Sequence, residues 1–195
     1  MNKMNKKAIA AVLIAASAAG CGLRINNVNS SAGYPVLQEY AIGEEVPMEK
    51  DFFDTLDDTA DGYSITVTDK ELLTREQFCE KYNADINDID DNSDYLYLIS
   101  VNVKNIDNDK GSKNGINFRH FIFQNRGYIN YLDDTAYPYV NDFKEFSFCL
   151  KYNTDKDFVI PIGISADHLS MSDIENGDSK LVVTLYPHKK SISLN

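Results

Sequence analysis

The chain has 195 residues, 43% of them apolar, with 30 acidic against 19 basic side chains and a net charge of −11. That length supports one domain with a real core. A surface this acidic repels nucleic-acid phosphate and anionic lipid headgroups, which excludes nucleic acid as a partner and argues against binding a membrane through surface charge.

The amino terminus is laid out like a secretory leader. Lys3, Lys6 and Lys7 form a positive region, and a run of small and apolar residues follows from Ala8 to Gly20 without an acid. The run is shorter than the roughly 20 residues that a helix needs to cross a bilayer. It ends in Ala18-Ala19-Gly20-Cys21, which resembles the lipobox of bacterial lipoproteins. The resemblance implies cleavage before Cys21 and a lipid on its thiol, so that the membrane would be reached through the lipid. Ala18 stands where that family prefers Leu, and a cut after Ala16-Ser17-Ala18, releasing a soluble protein, is the competing reading. The leader thus covers residues 1–20. Residues 21–35 are polar and small, and they read as a tether. The domain proper is expected over 36–195, on the extracytoplasmic side of the cell membrane.

Period-two alternation dominates from there on. It predicts a strand at Tyr63–Thr68. Thr74-Arg75-Glu76-Gln77 is a capping box, with Leu73 and Phe78 at the staple positions, and predicts a helix over 74–82. An Asp/Asn-rich loop follows from Asn83 to Asp94. Tyr95, Tyr97, Ile99, Val101 and Val103 then share one face of a strand. Leu96 and Leu98 make the first half of its other face apolar too, which predicts burial on both sides. Further strands are expected at Phe121–Phe123, Glu145–Tyr152, Phe158–Ile164 and Leu181–Leu185. Pro161 and Gly163 predict an edge position or a bulge for the strand Phe158–Ile164. Many short strands with one helix predict a mainly β fold, an antiparallel β-sandwich of immunoglobulin type.

The order of Tyr40-Ala-Ile-Gly-Glu-Glu-Val46, Gly62-Tyr-Ser-Ile-Thr-Val67, Tyr95 to Asn105 with its Val-Lys-Asn ending, and Phe121 to Tyr128 resembles small Firmicutes lipoproteins of unknown function. These are grouped in the DUF5028 and DUF4352 families. The resemblance spans most of residues 36–190. It implies a surface-exposed immunoglobulin-like sandwich and brings no catalytic residues with it.

The chemical motifs are sparse. His120, His168 and His188 are scattered, and there is no nucleophile elbow, CxxC, zinc-spaced histidine pair or phosphate loop. No cofactor is expected. Cys79 and Cys149 either pair, closing a loop of about 70 residues worth on the order of 4 kcal/mol, or remain thiols. Asp88, Asp90, Asn92 and Asp94 alternate like half a calcium loop, but Ser93 stands where Gly is needed and Ile99 where the bidentate Glu belongs. Asp and Asn are favoured in turns for local reasons as well. Tyr128, Tyr131, Tyr137 and Tyr139 offer stacking surfaces to a protein or glycan partner, or else cover the core. The expectation is a non-enzymatic binding or structural module of the cell envelope. An extracytoplasmic enzyme and a calcium-stabilised surface module are the alternatives.

Overall fold

The structure, a computed structural model, describes residues 36–54, 60–110 and 115–195. The leader, the tether and Cys21 lie outside the described residues. The strands are β1 (Val36–Tyr40), β2 (Val46–Pro47), β3 (Tyr63–Thr74), β4 (Tyr95–Asn105), β5 (Ile116–Asn117), β6 (Ile122–Asn125), β7 (Tyr128–Asn130), β8 (Ser147–Phe148), β9 (Thr154–Ile164), β10 (Lys180–Thr184) and β11 (His188–Ser193). The helices are α1 (Arg75–Tyr82), α2 (Tyr137–Val140) and α3 (Met171–Asn176).

One sheet runs β1-β11-β10-β6-β7, a second runs β2-β3-β4-β9, and β5 and β8 form a small third. β1 pairs with β11 in parallel; every other ladder is antiparallel. The two large sheets share one core, as a sandwich requires. Ile65, Ile99 and Ile160 enter it from one sheet, Leu181 and Ile192 from the other, all fully buried. Across the gap the Tyr97 ring meets Phe123 edge-on at 5.6 Å. Each such side chain stabilises the fold by about 1.5–3 kcal/mol.

β4 is buried on both faces, as its sequence indicates. Its odd residues face the core, while Leu96 and Leu98 join a second cluster with Phe78, Ile89 and Ala136 on the outer face. α1 supplies Phe78 to that cluster. The helix begins where the capping box puts it: the Gln77 amide donates to Thr74 Oγ1, and the Thr74 amide donates to Gln77 Oε1.

β3 runs past the expected Thr68 to Thr74. Its register against β4 shifts between Val67 and Asp69, leaving Thr68 as the extra residue of a bulge. Without that shift Asp69 and Glu71 would point into the core. With it, Leu72 packs inward and Leu73 joins the outer cluster.

β9 lies at the edge of its sheet, as Pro161 and Gly163 suggested. Pro161 has no amide to pair, and its carbonyl accepts from the Asp133 amide at 2.8 Å. A Cβ on Gly163 would collide with Ser93 Oγ and the Asp133 carboxylate, so only glycine fits there.

Two expectations need correction. The strand over 145–152 shrinks to β8, where only Ser147 and Phe148 find a ladder, against Asn117 and Ile116, and ring contacts hold the phenylalanines besides. Phe146 packs on Tyr137 at 4.9 Å, and Phe148 stacks on Phe158 at 4.4 Å. The single helix has company: α3 opens on a second capping box, Ser170 with Asp173, and α2 is one turn with Pro138 near its start.

Candidate functional site

An open groove of about 460 Å³ lies on the outer face of the β3-β4-β9 layer. It begins where the cover provided by α1 ends. The bulge at Thr68–Asp69 and Ser100 of β4 form one side, and Asp157 to Val159 of β9 continue it. The end of α2 and the segment after it build the opposite wall with Val140, Asn141, Asp142 and Phe143.

Asn141 fixes that wall. Its Nδ2 donates to the Val159 carbonyl at 2.8 Å, and its Oδ1 accepts from the Val159 amide at 2.9 Å. One side chain therefore satisfies both outward backbone groups of a strand residue, as a neighbouring strand would. Further along the edge, the Pro161 carbonyl takes the Asp133 amide and the Gly163 carbonyl takes Asn130 Nδ2. The edge is thus covered from Val159 onward.

Asp69, Asp142 and Asp157 bring three carboxylates to the groove, against the ammonium of Lys156. Lys156 Nζ sits over the rings of Phe143 and Phe158, 5.0 and 5.2 Å from their centroids. Asn102 Nδ2 donates to both Asp157 and Asp155, at 2.8 and 2.9 Å. Beside Asn102 lies a smaller trough of about 300 Å³ lined by Ser64, Thr66, Lys104 and Glu45.

A different cluster lies where β11 meets the loop after β2. Lys190 is fully buried, and its ammonium donates to the Pro47 carbonyl at 2.5 Å and to Glu49 Oε2 at 2.6 Å. Asp51 Oδ2 lies 2.7 Å from the same nitrogen, off the direction of a hydrogen bond, and receives no other donor. His188 Nδ1 meets Asp51 Oδ1 at 2.9 Å. Glu49, Asp51 and His188 place ligand atoms within 4.8 Å of one another, close enough to hold a metal ion. Lys190 already contacts both carboxylates as their cation.

The residues singled out from sequence fall in several places. Tyr137 is a core residue, fully buried, and burial pushes its hydroxyl up to about 12. Tyr128 is half-buried against the His168 ring. Tyr139 donates to Asp88 Oδ2 at 2.6 Å, which raises the pKa of the phenol, and its ring meets Phe78. Tyr131 is exposed. The four rings do not make one surface. Cys79 and Cys149 are both thiols, Cys79 against the outer cluster and Cys149 exposed.

The Asp-rich residues turn away from one another. Asp88 holds Tyr139, Asp90 caps Asn92, and Asp94 accepts from the Ala166 amide. The middle of their loop is organised by Arg75, whose Nη2 donates to the carbonyls of Ile86 and Ile89 and to Asp91. His120 borders a cavity of about 20 Å³, room for about one water. The groove itself was not among the sequence candidates. The alternation of Phe158 to Ile164 marks the edge strand, but nothing local shows which segments gather beside it.

Fold and site together define a mainly β sandwich with an open acidic groove on one outer face. The chain belongs to the family described as "Domain of unknown function (DUF5028)", which matches residues 37–190. The match runs from β1 into β11 and so takes in the groove. No curated protein and no solved structure matches the chain.

Proposed function

We propose that the chain is a lipid-anchored, extracytoplasmic binding module of a bacterial cell envelope, with the immunoglobulin-like sandwich of small Firmicutes lipoproteins. The open groove carries the binding reading. It borders an open sheet edge and sets the apolar surface of Val140 and Phe143 beside the carboxylates of Asp69, Asp142 and Asp157. The cavity beside His120 has room for little more than a water.

The location rests on the leader and on Cys21. Among the described residues no helix is long and apolar enough to cross a membrane, and an acidic body is repelled by anionic headgroups. A lipid on Cys21 supplies the attachment. Metabolic labelling with a palmitate analogue is expected to tag the wild type and leave Cys21→Ser unlabelled, with the variant shed into the soluble fraction. Equal labelling of both would remove the anchor from the proposal. A pull-down from intact cells with the lipid-free domain tests the binding reading itself.

A further inference from the structure

We infer that the groove and the adjoining free edge of β9 take an extended, basic segment of a partner polypeptide. The inference rests on the binding reading above and names the partner's chemistry.

The edge supplies the extended geometry. In a strand, alternate residues turn their backbone groups to the same side. The outward amide and carbonyl of Val159 are both held by Asn141. By the same period, those of Asp157 and Asp155 face the same edge, and among the described residues no loop or side chain bonds them there. Both residues are exposed. Asn141 therefore stands where one residue of an added strand would stand, and the next two positions are open. Pairing an incoming strand along such an edge provides main-chain hydrogen bonds, while side-chain contacts give specificity.

Charge selects the occupant. Asp69, Asp142, Asp155 and Asp157 take part in no ion pair among the described residues. Lys156, the cation nearest them in sequence, is engaged with the Phe143 and Phe158 rings. A second copy of this chain would bring Asp155 and Asp157 against the same acids, a recognised device against edge-to-edge aggregation. A strand with Lys or Arg at every second position meets the opposite condition: its ammonium or guanidinium groups fall beside Asp157 and Asp155. Its alternate apolar side chains turn to the other face of the edge, where the groove presents Phe143 and Phe158.

The test uses the full chain and three acetylated peptides of equal length: alternating Lys-Val, alternating Glu-Val and alternating Ser-Val. Fluorescence anisotropy is expected to show the lysine peptide binding at least 10-fold more tightly than the other two, and weakening as salt is raised. Hydrogen exchange at the amides of Asp155 and Asp157 should slow when it binds. Asp142→Asn/Asp157→Asn should weaken the lysine peptide about 10-fold. Asp142→Lys/Asp157→Lys should reverse the preference toward the glutamate peptide, a gain that a misfolded variant does not show. No preference for the lysine peptide, or a preference that the reversal leaves unchanged, overturns the inference. So does tight binding of a neutral oligosaccharide at the same residues, which would make the groove a glycan site and leave the binding reading standing. Partner capture from intact cells that is undiminished by the asparagine pair places the partner elsewhere on the molecule, and also overturns it.

Discussion

At the scale of single residues, Lys190 is the unexpected one. His188-Lys189-Lys190 reads in sequence as a charged stretch near the end of the chain, and nothing there marks one lysine as interior. Its acceptors, Pro47 and Glu49, and the carboxylate of Asp51 lie about 140 positions earlier, brought over when the loop after β2 crosses β11. Burying an ammonium costs several kcal/mol, so the carboxylates that meet it are needed to keep it there. Lys190→Ala leaves Asp51 buried without its cation and is expected to lose about 3–5 kcal/mol in urea unfolding. Lys190→Met combined with Asp51→Asn should recover much of that loss, because neither a lone ammonium nor a lone carboxylate then remains inside. A Lys190→Ala protein with the wild-type urea midpoint would show that the cluster contributes nothing net.

Legibility was uneven among the elements, and for identifiable reasons. α1 and its cap were readable because every group involved lies within a few residues: Thr74, Gln77 and Phe78. Thr74→Ala removes the side-chain acceptor for the Gln77 amide and is expected to cost about 0.5–2 kcal/mol, seen as faster hydrogen exchange in α1 and a lower thermal midpoint. Unchanged exchange would mean that tertiary packing through Phe78 holds the helix without its cap. β4 was readable as well, since five odd apolar residues and the Leu96–Leu98 pair state which faces are covered. The second half of β3 was not. The bulge at Thr68 breaks the alternation, and only the pairing with β4 shows that Leu72 and Leu73 have exchanged the faces an unbroken count would give them. α3 carried a legible capping box, Ser170 with Asp173, that periodicity alone passes over because a helix of six residues, under two turns, barely repeats.

At the scale of the whole molecule, the groove was illegible because it is assembled from four separate stretches, around Asp69, Ser100, Asn141 and Asp157. Each reads by itself as ordinary polar chain. The tyrosines show the converse. Tyr128, Tyr131, Tyr137 and Tyr139 are close in sequence, yet the turn of α2 sends Tyr137 into the main core and Tyr139 to the outer cluster. The parallel pairing of β1 with β11, from Val36 beside His188 to Tyr40 beside Ile192, has a mechanical consequence. Tension applied between the start of β1 and the end of β11 acts along the strands, so that all the bonds of the ladder carry the load together. Tension applied between residues 36 and 188, which face each other at one end of the ladder, peels the bonds apart one after another. Single-molecule stretching is expected to give a higher rupture force for the attachment at 36 and 195 than for that at 36 and 188, since forced unfolding follows the unfolding barrier. Equal forces would mean that another part of the fold gives way before this ladder does. A pull arriving through the amino-terminal extension enters at Val36, where the ladder resists it in shear.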